Sequence, residues 1–284
     1  MLAQEWKLRK QSYDFVIVGS GYGGAITAAR LSAAPSKPSV CILERGREWQ
    51  VGEFPDNLAG VLKHRNDRNL NPTGLYEFLT YPEITVLKGC GVGGTSLINA
   101  NVAIQPDDET FQQSAWPRQL NTAMLQPFYD KARGVLAAVP HPRSNPVQAT
   151  CLRKVSGLDR RAQEFGQRAY GLNIVVNHTI DGVNPHGVAQ KPCTDCGDCV
   201  TGCNVGAKNT LAMNYLPIAQ KNGAHIFPKC EVKHVEKLPT GGWRIHGRRF
   251  DGAFPDDFKI EAKNVILSGG SLGTTEILLR SEKK

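Results

Sequence analysis

The run Asp14-Phe15-Val16-Ile17-Val18 is apolar and of strand type. It stops at Gly19-Ser20-Gly21-Tyr22-Gly23-Gly24, and Ala25 to Ala34 is then rich in helix formers. This order predicts a strand, a tight glycine turn and a helix. A second apolar strand, Val40 to Leu43, ends on Glu44. From Gly46 to Pro82 the pattern breaks down, because Pro55, Asn57, Asn66, Asn69, Asn71 and Pro72 interrupt any long periodicity. Periodicity returns at Leu125, Phe128, Tyr129, Ala132, Val135, Leu136 and Val139, which share one helical stripe and predict a core-facing helix. Pro140, Pro142 and Pro146 end that helix and suggest a linker. Thr150 to Ala169 reads as a further helix, and Leu172 to Val176 as a weakly alternating strand.

Leu211, Tyr215, Ile218 and Ala219 again have helical spacing, and Asn222-Gly223 closes that helix. His225 to Phe227, Cys230 to Val235, Trp243 to Ile245 and Phe258 to Ala262 are short strand-like runs, split by glycine- and proline-bearing breaks at 239–242 and 252–255. They predict an antiparallel meander. Lys263-Asn264-Val265-Ile266-Leu267 then repeats the opening theme, a strand that runs into Gly269-Gly270-Ser271 before a helix from Thr274 to Arg280. The expected class is α/β: a Rossmann-like domain, its parallel sheet flanked by helices on both faces, with the meander attached and part of a second, substrate-side region.

The chain has 284 residues, 40% hydrophobic and 21% charged, as in ordinary globular proteins. Its net charge of +8 is spread over scattered lysines and arginines with no long basic run, so a nucleic-acid partner is not expected. Met1 to Lys10 has no apolar core of a secretory signal, and no apolar stretch is long enough to span a bilayer. A cytoplasmic location with mostly reduced thiols is therefore the expectation.

Gly19, Gly21 and Gly24 match G-x-G-x-x-G. The first permits the turn, the second lets a pyrophosphate approach the backbone, and the third allows close helix packing. Tyr22 and Gly23 lie within this turn, and the helix start offers free N–H groups to phosphate. Glu44, twenty residues past Gly24, is placed to accept from ribose hydroxyls, with Arg45 beside it in the candidate set. The pattern alone does not separate FAD from NAD. The irregular excursion after Gly46 favours a flavoprotein, since an NAD dehydrogenase of this type proceeds at once to another helix and strand. A second glycine-rich stretch, Gly89-Cys90-Gly91-Val92-Gly93-Gly94-Thr95-Ser96-Leu97-Ile98-Asn99, describes backbone brought close to something flat or charged.

These stretches, Gly19 to Gly24, Gly89 to Val102 and Val265 to Leu278, together resemble the glucose–methanol–choline (GMC) family of FAD oxidoreductases, and within it the cholesterol-oxidase-type branch. The resemblance spans nearly the whole chain. It implies that Gly91, Gly93 and Gly94 run beside the flavin, and that Thr95, Asn99, Ala100 and Val102 approach the isoalloxazine. Thr95 and Ala100 stand where glycines are common in that branch. It further implies that Val232 passes the adenine and that Gly269, Gly270 and Ser271 lie near the dinucleotide. The chain then divides into a βαβ unit (13–46), a flavin-contacting insertion and helix (47–139), a partial substrate-side region with a cysteine run (140–205), and the helix, meander and returning strand (206–284). Family members oxidise an alcohol by passing hydride to the flavin. Their catalytic histidine lies well beyond the returning strand, so the resemblance implies a chain that stops before it. None of the seven histidines has a spacing that nominates it as the base.

Four of the eight cysteines, Cys193, Cys196, Cys199 and Cys203, have the spacing C-x2-C-x2-C-x3-C of bacterial ferredoxin clusters. Asn204 replaces the usual proline, and no second run supplies a second cluster. One iron–sulfur cluster is the first expectation, with zinc and a metal-free thiol group as alternatives. The functional expectation is an FAD-dependent oxidoreductase acting on the CH–OH group of a sterol or bulky alcohol, with a redox partner if a cluster is present. A non-catalytic flavin or iron–sulfur electron-transfer module and an NAD-binding dehydrogenase compete with it.

Overall fold

A computed structural model describes residues 1–252 and 254–283. Ala253, within the break expected at 252–255, lies outside the described residues. The first strand, β1 (Ser12–Val18), leads through the glycine turn into α1 (Tyr22–Ser32) and then β2 (Val40–Leu43). The excursion that follows holds α2 (Leu58–Lys63) and a hairpin of β3 (Tyr76–Thr80) and β4 (Thr85–Gly89). Next come α3 (Asp108–Gln112), α4 (Thr122–Leu136), β5 (Val139–Pro140), α5 (Arg153–Gln163), β6 (Asn173–Ile174), β7 (Gly182–Val183) and β8 (Ala189–Gln190). The chain finishes with α6 (Tyr215–Lys221), β9 (His225–Phe227), β10 (Cys230–Lys237), β11 (Trp243–Arg249), β12 (Asp256–Leu267) and α7 (Gly270–Glu282).

One six-stranded sheet organises the molecule, in the order β10-β11-β12-β1-β2-β9. β12, β1, β2 and β9 run parallel, while β10, β11 and β12 form the antiparallel meander. The two expected runs, 258–262 and the returning strand from Lys263, are one strand of twelve residues. Its first part pairs with β11 and its last part with β1, so β12 joins the meander to the parallel sheet. The polar Lys263 and Asn264 do not break it: Lys263 Nζ pairs with Asp14 Oδ1 at 2.7 Å, and Asn264 Nδ2 donates to the Asp14 carbonyl at 3.2 Å.

Side-chain alternation sends the strands' apolar residues to opposite faces. Ile17, Ile42 and Ile226 pack with Ala25, Ala28 and Leu216 under α1 and α6. Val16, Val18, Leu43 and Phe227 pack with Val232 and Ile277 on the side of α7. The sheet is thus covered on both faces, as expected.

The helices α4 and α7 depart from their sequence reading. The stripe of α4 is half-buried at most and Phe128 is exposed, because the helix packs its last turn on the core and turns the rest toward a cleft. Val139 lies beyond this helix, which ends at Ala137 in a left-handed conformation (φ 48°). α7 begins at Gly270, four residues before the expected start, so Gly270 and Ser271 form its first turn. No described helix is long and apolar enough to cross a membrane.

Candidate dinucleotide site

The glycine turn after β1 is closed by contact. Gly19 has φ 96°, and a Cβ there would meet the Ser268 carbonyl oxygen at 2.5 Å, which brings the end of β12 against the first turn. A Cβ on Gly24 would fall on the Gly19 carbonyl oxygen, so only glycine lets α1 lie this close to β1. A Cβ on Gly21 would instead meet nothing within 4 Å. Gly94 reaches the same place from the second glycine stretch, since its Cβ would lie 2.8 Å from Gly21 Cα. The three bends, far apart in sequence, therefore border one cleft of about 360 Å³.

Two helices start at this cleft. α1 and α7, of eleven and thirteen residues, begin at Gly21 and Gly269, and neither N-cap residue supplies a side-chain cap. Their first N–H groups and dipoles are left for an anion, which is the chemistry of a pyrophosphate cradle. Beneath them Glu44 is buried. Its Oε2 accepts from the Ser20 N–H at 2.9 Å and hydroxyl at 2.6 Å, and its Oε1 accepts from the Gly46 N–H at 2.9 Å. Ser20 Oγ in turn accepts from Gly93 N at 3.0 Å, so Glu44 braces two of the bends and itself lines the cleft.

Arg45 lies in the cleft wall, paired with Glu77, and Lys88 reaches the same carboxylate at 3.0 Å. Burial works against ionisation of Glu77, but the two cations still hold its carboxyl below the usual carboxylate range. At the rim, Arg68 crosses to Glu276 of α7 at 2.6 Å. Neither Arg68 nor Glu77 was singled out from sequence, where each is one charge among many.

Of the sequence-nominated residues, Gly19, Gly21, Tyr22, Gly23, Glu44 and Arg45 line the cleft, as do Gly94, Thr95, Val232, Gly269 and Gly270. Gly24, Gly91 and Gly93 stand behind it as packing positions. Asn99 touches its wall, donating from Nδ2 to the Tyr22 hydroxyl at 3.0 Å. Burial pushes that hydroxyl's pKa up, with the Asn99 amide opposing. Ala100 and Ser271 are exposed. Val102 lines a second cleft, of about 430 Å³, with Tyr129, Leu136, Tyr170 and Leu172. Tyr22 is common to both clefts and forms the partition between them.

The cysteine run lies farther along this wall. Cys193 to Cys203 is a loop with one 3-10 turn at Asp198–Val200 and left-handed residues at Asp195 (φ 59°), Gly197 and Gly202. Among the described residues, the one group of three potential ligands whose donor atoms lie within 4.8 Å is His141, His178 and Asp195, and the four thiols form no such group. His141 Nδ1 accepts the Arg143 N–H at 3.0 Å, which leaves Nε2 as the protonated nitrogen facing Asp195 Oδ1 at 3.0 Å. With Arg143 on the other carboxylate oxygen at 2.5 Å, the group is an ion-pair network. Lys208, in the stretch that follows, is buried, and desolvation lowers its pKa to about 8 against the opposing influence of the Cys199 and Cys203 thiols.

A family model described as GMC oxidoreductase matches residues 13–282. The chain is 30% identical to a cholesterol oxidase of Mycobacterium tuberculosis over 95% of its own length and 48% of that protein's. It is 27% identical to a cholesterol oxidase of Acinetobacter baumannii over 96% of its length and 51% of that protein's. A solved fungal aryl-alcohol oxidase has the same fold over 96% of this chain and 48% of its own, with a TM-score of 0.56 and 18% identity. The chain spans about half the length of these relatives.

Proposed function

Because this chain belongs to the GMC oxidoreductase family, we propose that it forms the FAD-binding part of an enzyme that oxidises the CH–OH group of a sterol or another bulky alcohol. The observation that carries this reading is the convergence of three glycine bends and two uncapped helix N-termini on one cleft. The α1 start and the open space beside Gly21 would hold the pyrophosphate. Glu44 would take a ribose hydroxyl, and an acid there disfavours a 2′-phosphate. Val232 would face the adenine, and Gly94, Thr95 and Asn99 the flavin end. When bound, FAD supplies the acceptor for the hydride that leaves the alcohol carbon. The protein's part is to keep the ring at the partition and to exclude water from the face shared with the second cleft. That cleft, walled by Val102, Tyr129, Leu136 and Leu172, suits an apolar substrate body.

The test is reconstitution. The purified protein should bind FAD with quenched flavin fluorescence and should not bind NADP. Gly21→Val should abolish binding while far-UV circular dichroism stays unchanged. A wild-type protein that takes NAD and ignores FAD would sink the proposal in favour of a nicotinamide enzyme. Turnover is assayed on the longest natural form of the protein, with a sterol and a long-chain alcohol as donors and dye or oxygen as acceptor.

The cysteine run favours a second reading, in which a single iron–sulfur cluster on Cys193, Cys196, Cys199 and Cys203 relays electrons to a redox partner. Closing four thiols around a cluster requires this loop to tighten from its present form. Stoichiometric iron and acid-labile sulfide in anaerobically purified protein would support it, and their absence would leave the run a structural loop.

A further inference from the structure

Lys208 is almost fully buried, with 1% of its surface exposed, and among the described residues no carboxylate is its hydrogen-bond partner. Its backbone is fixed first. Asn177 N donates to the Ala207 carbonyl at 2.8 Å and Asn209 N to the Val175 carbonyl at 2.9 Å, which sets Lys208 opposite Val176. From there Nζ reaches three main-chain carbonyls, of Leu97 at 3.2 Å, Asn99 at 2.6 Å and Cys199 at 2.9 Å. An ammonium has three N–H donors, and each has one acceptor here. A buried cation without an anion is costly, and an apolar side chain of similar length would be easier to bury. What its burial gains is the gathering of those three carbonyls on one donor group.

Two of the three belong to the second glycine stretch. Asn99, whose carbonyl takes the shortest of the bonds, donates its amide to the Tyr22 hydroxyl at 3.0 Å and accepts from Asn101 N at 3.2 Å. Tyr22 is the partition between the two clefts and sits in the first turn of α1. The third carbonyl, of Cys199, belongs to the cysteine run. We infer that Lys208 is a positioning residue, which fixes Asn99, and through it Tyr22, at the flavin end of the dinucleotide cleft, and uses the backbone of the cysteine run as its far anchor. This rests on the FAD reading above. Lys208 does not touch the cleft itself and acts through Asn99.

The test compares wild-type protein with Lys208→Met, Asn99→Ala and the double variant in FAD titrations, with visible circular dichroism of the bound flavin as a second readout. Lys208→Met strands three buried acceptors and should weaken FAD binding by about tenfold or more. It should also change the flavin dichroism in the same sense as Asn99→Ala. The double variant should bind FAD about as weakly as the weaker single one, because both act on one path. Losses that multiply in the double variant, or unchanged affinity and dichroism in Lys208→Met, would overturn the inference while leaving the FAD reading intact. Failure of the wild type to bind FAD would overturn the reading itself. If Lys208→Met does not fold, Asn99→Ala and Tyr22→Phe decide: both must alter the flavin dichroism, and if neither does, the path from Lys208 to the cleft has no effect there.

Discussion

Between Ser12 and Leu43, and again from His225 to Glu282, the chain satisfies its main-chain donors and acceptors along strand ladders and helix turns. Between Asn101 and Asn214 strands are only two residues long, and side chains do much of that work. Asn177 donates to the carbonyls of Ile180 and Lys191 and accepts from Thr179 N and Ile180 N, all within 3.0 Å. Asn184 similarly donates to Gln190 Oε1 and the Met213 carbonyl and accepts from His186 N and Val188 N. Lys208 gathers three carbonyls. A ladder is specified by alternation and tolerates many side chains, whereas a loop held by one amide depends on that residue. The contrast teaches that the first cleft is framed by the sheet and its turns, whereas the second, lined by Val102, Tyr129 and Leu172, has a wall whose position is set residue by residue.

The largest effect should come from breaking the frame of the first cleft. In Gly24→Val the new side chain would fall on the Gly19 carbonyl, and backbone on both sides leaves no flexible group to move aside. We expect a loss of about 3 kcal/mol or more and a protein that is largely insoluble or unfolded in a thermal melt. A variant that melted within a few degrees of wild type would show that α1 can lift from β1, and that the frame is less rigid than its contacts imply.

Asn177→Ala sharpens the comparison from the other side. Removing four hydrogen bonds at once should cost about 2–4 kcal/mol, since two amides and two carbonyls lose their partner. Hydrogen exchange should show lost protection over residues 175–193, with the amides of β1, β2 and β12 unchanged. Uniform loss of protection across the sheet would mean that the two regions unfold as one unit and that the boundary between them has no energetic content.

What could be read from sequence follows the same line. β1, the glycine turn and β2 were legible because alternation and glycine spacing are local signals, and the sheet followed from them. β12 was read as two pieces, a meander strand ending at Ala262 and a returning strand from Lys263, because sequence does not show that one strand can pair with β11 at its start and with β1, about 250 residues away, at its end. The helix of α4 was legible but its exposure was not, since a stripe shows periodicity without saying whether a core or a cleft faces it. The cysteine spacing was legible, yet the loop's shape depends on Asp195 meeting His141 and Arg143, more than fifty residues earlier. Lys208 was invisible for the same reason: a lysine in Gly206-Ala207-Lys208-Asn209-Thr210 reads as surface, and its burial is decided by carbonyls that sequence does not place.

Each region also carries a carboxylate held in its ionised form, and acid should separate them with the smallest effect of the set. In the sheet, Lys263, then Ser39 through its hydroxyl and N–H, hold the Asp14 carboxyl far below its ordinary range. In the loop region Arg168, the Ala169 N–H and Gln163 hold Asp159 at about 2, with Asp159 Oδ1 taking Arg168 Nε at 2.8 Å and the Ala169 N–H at 2.9 Å. Both folded values lie below the unfolded one. Their stabilisation is therefore complete above the ordinary carboxylate range and is lost as pH falls through the folded value. For Asp159 that window runs from about pH 4 down to about 2. The Ala169 amide should lose exchange protection across it, because a protonated Asp159 releases the segment that follows α5. The amide of Ser39, held by Asp14, should persist to lower pH than that of Ala169. If Ser39 opened first, the ladder flanking Asp14 would be contributing nothing to its hold on the proton, and the sheet would be no better braced than the loops.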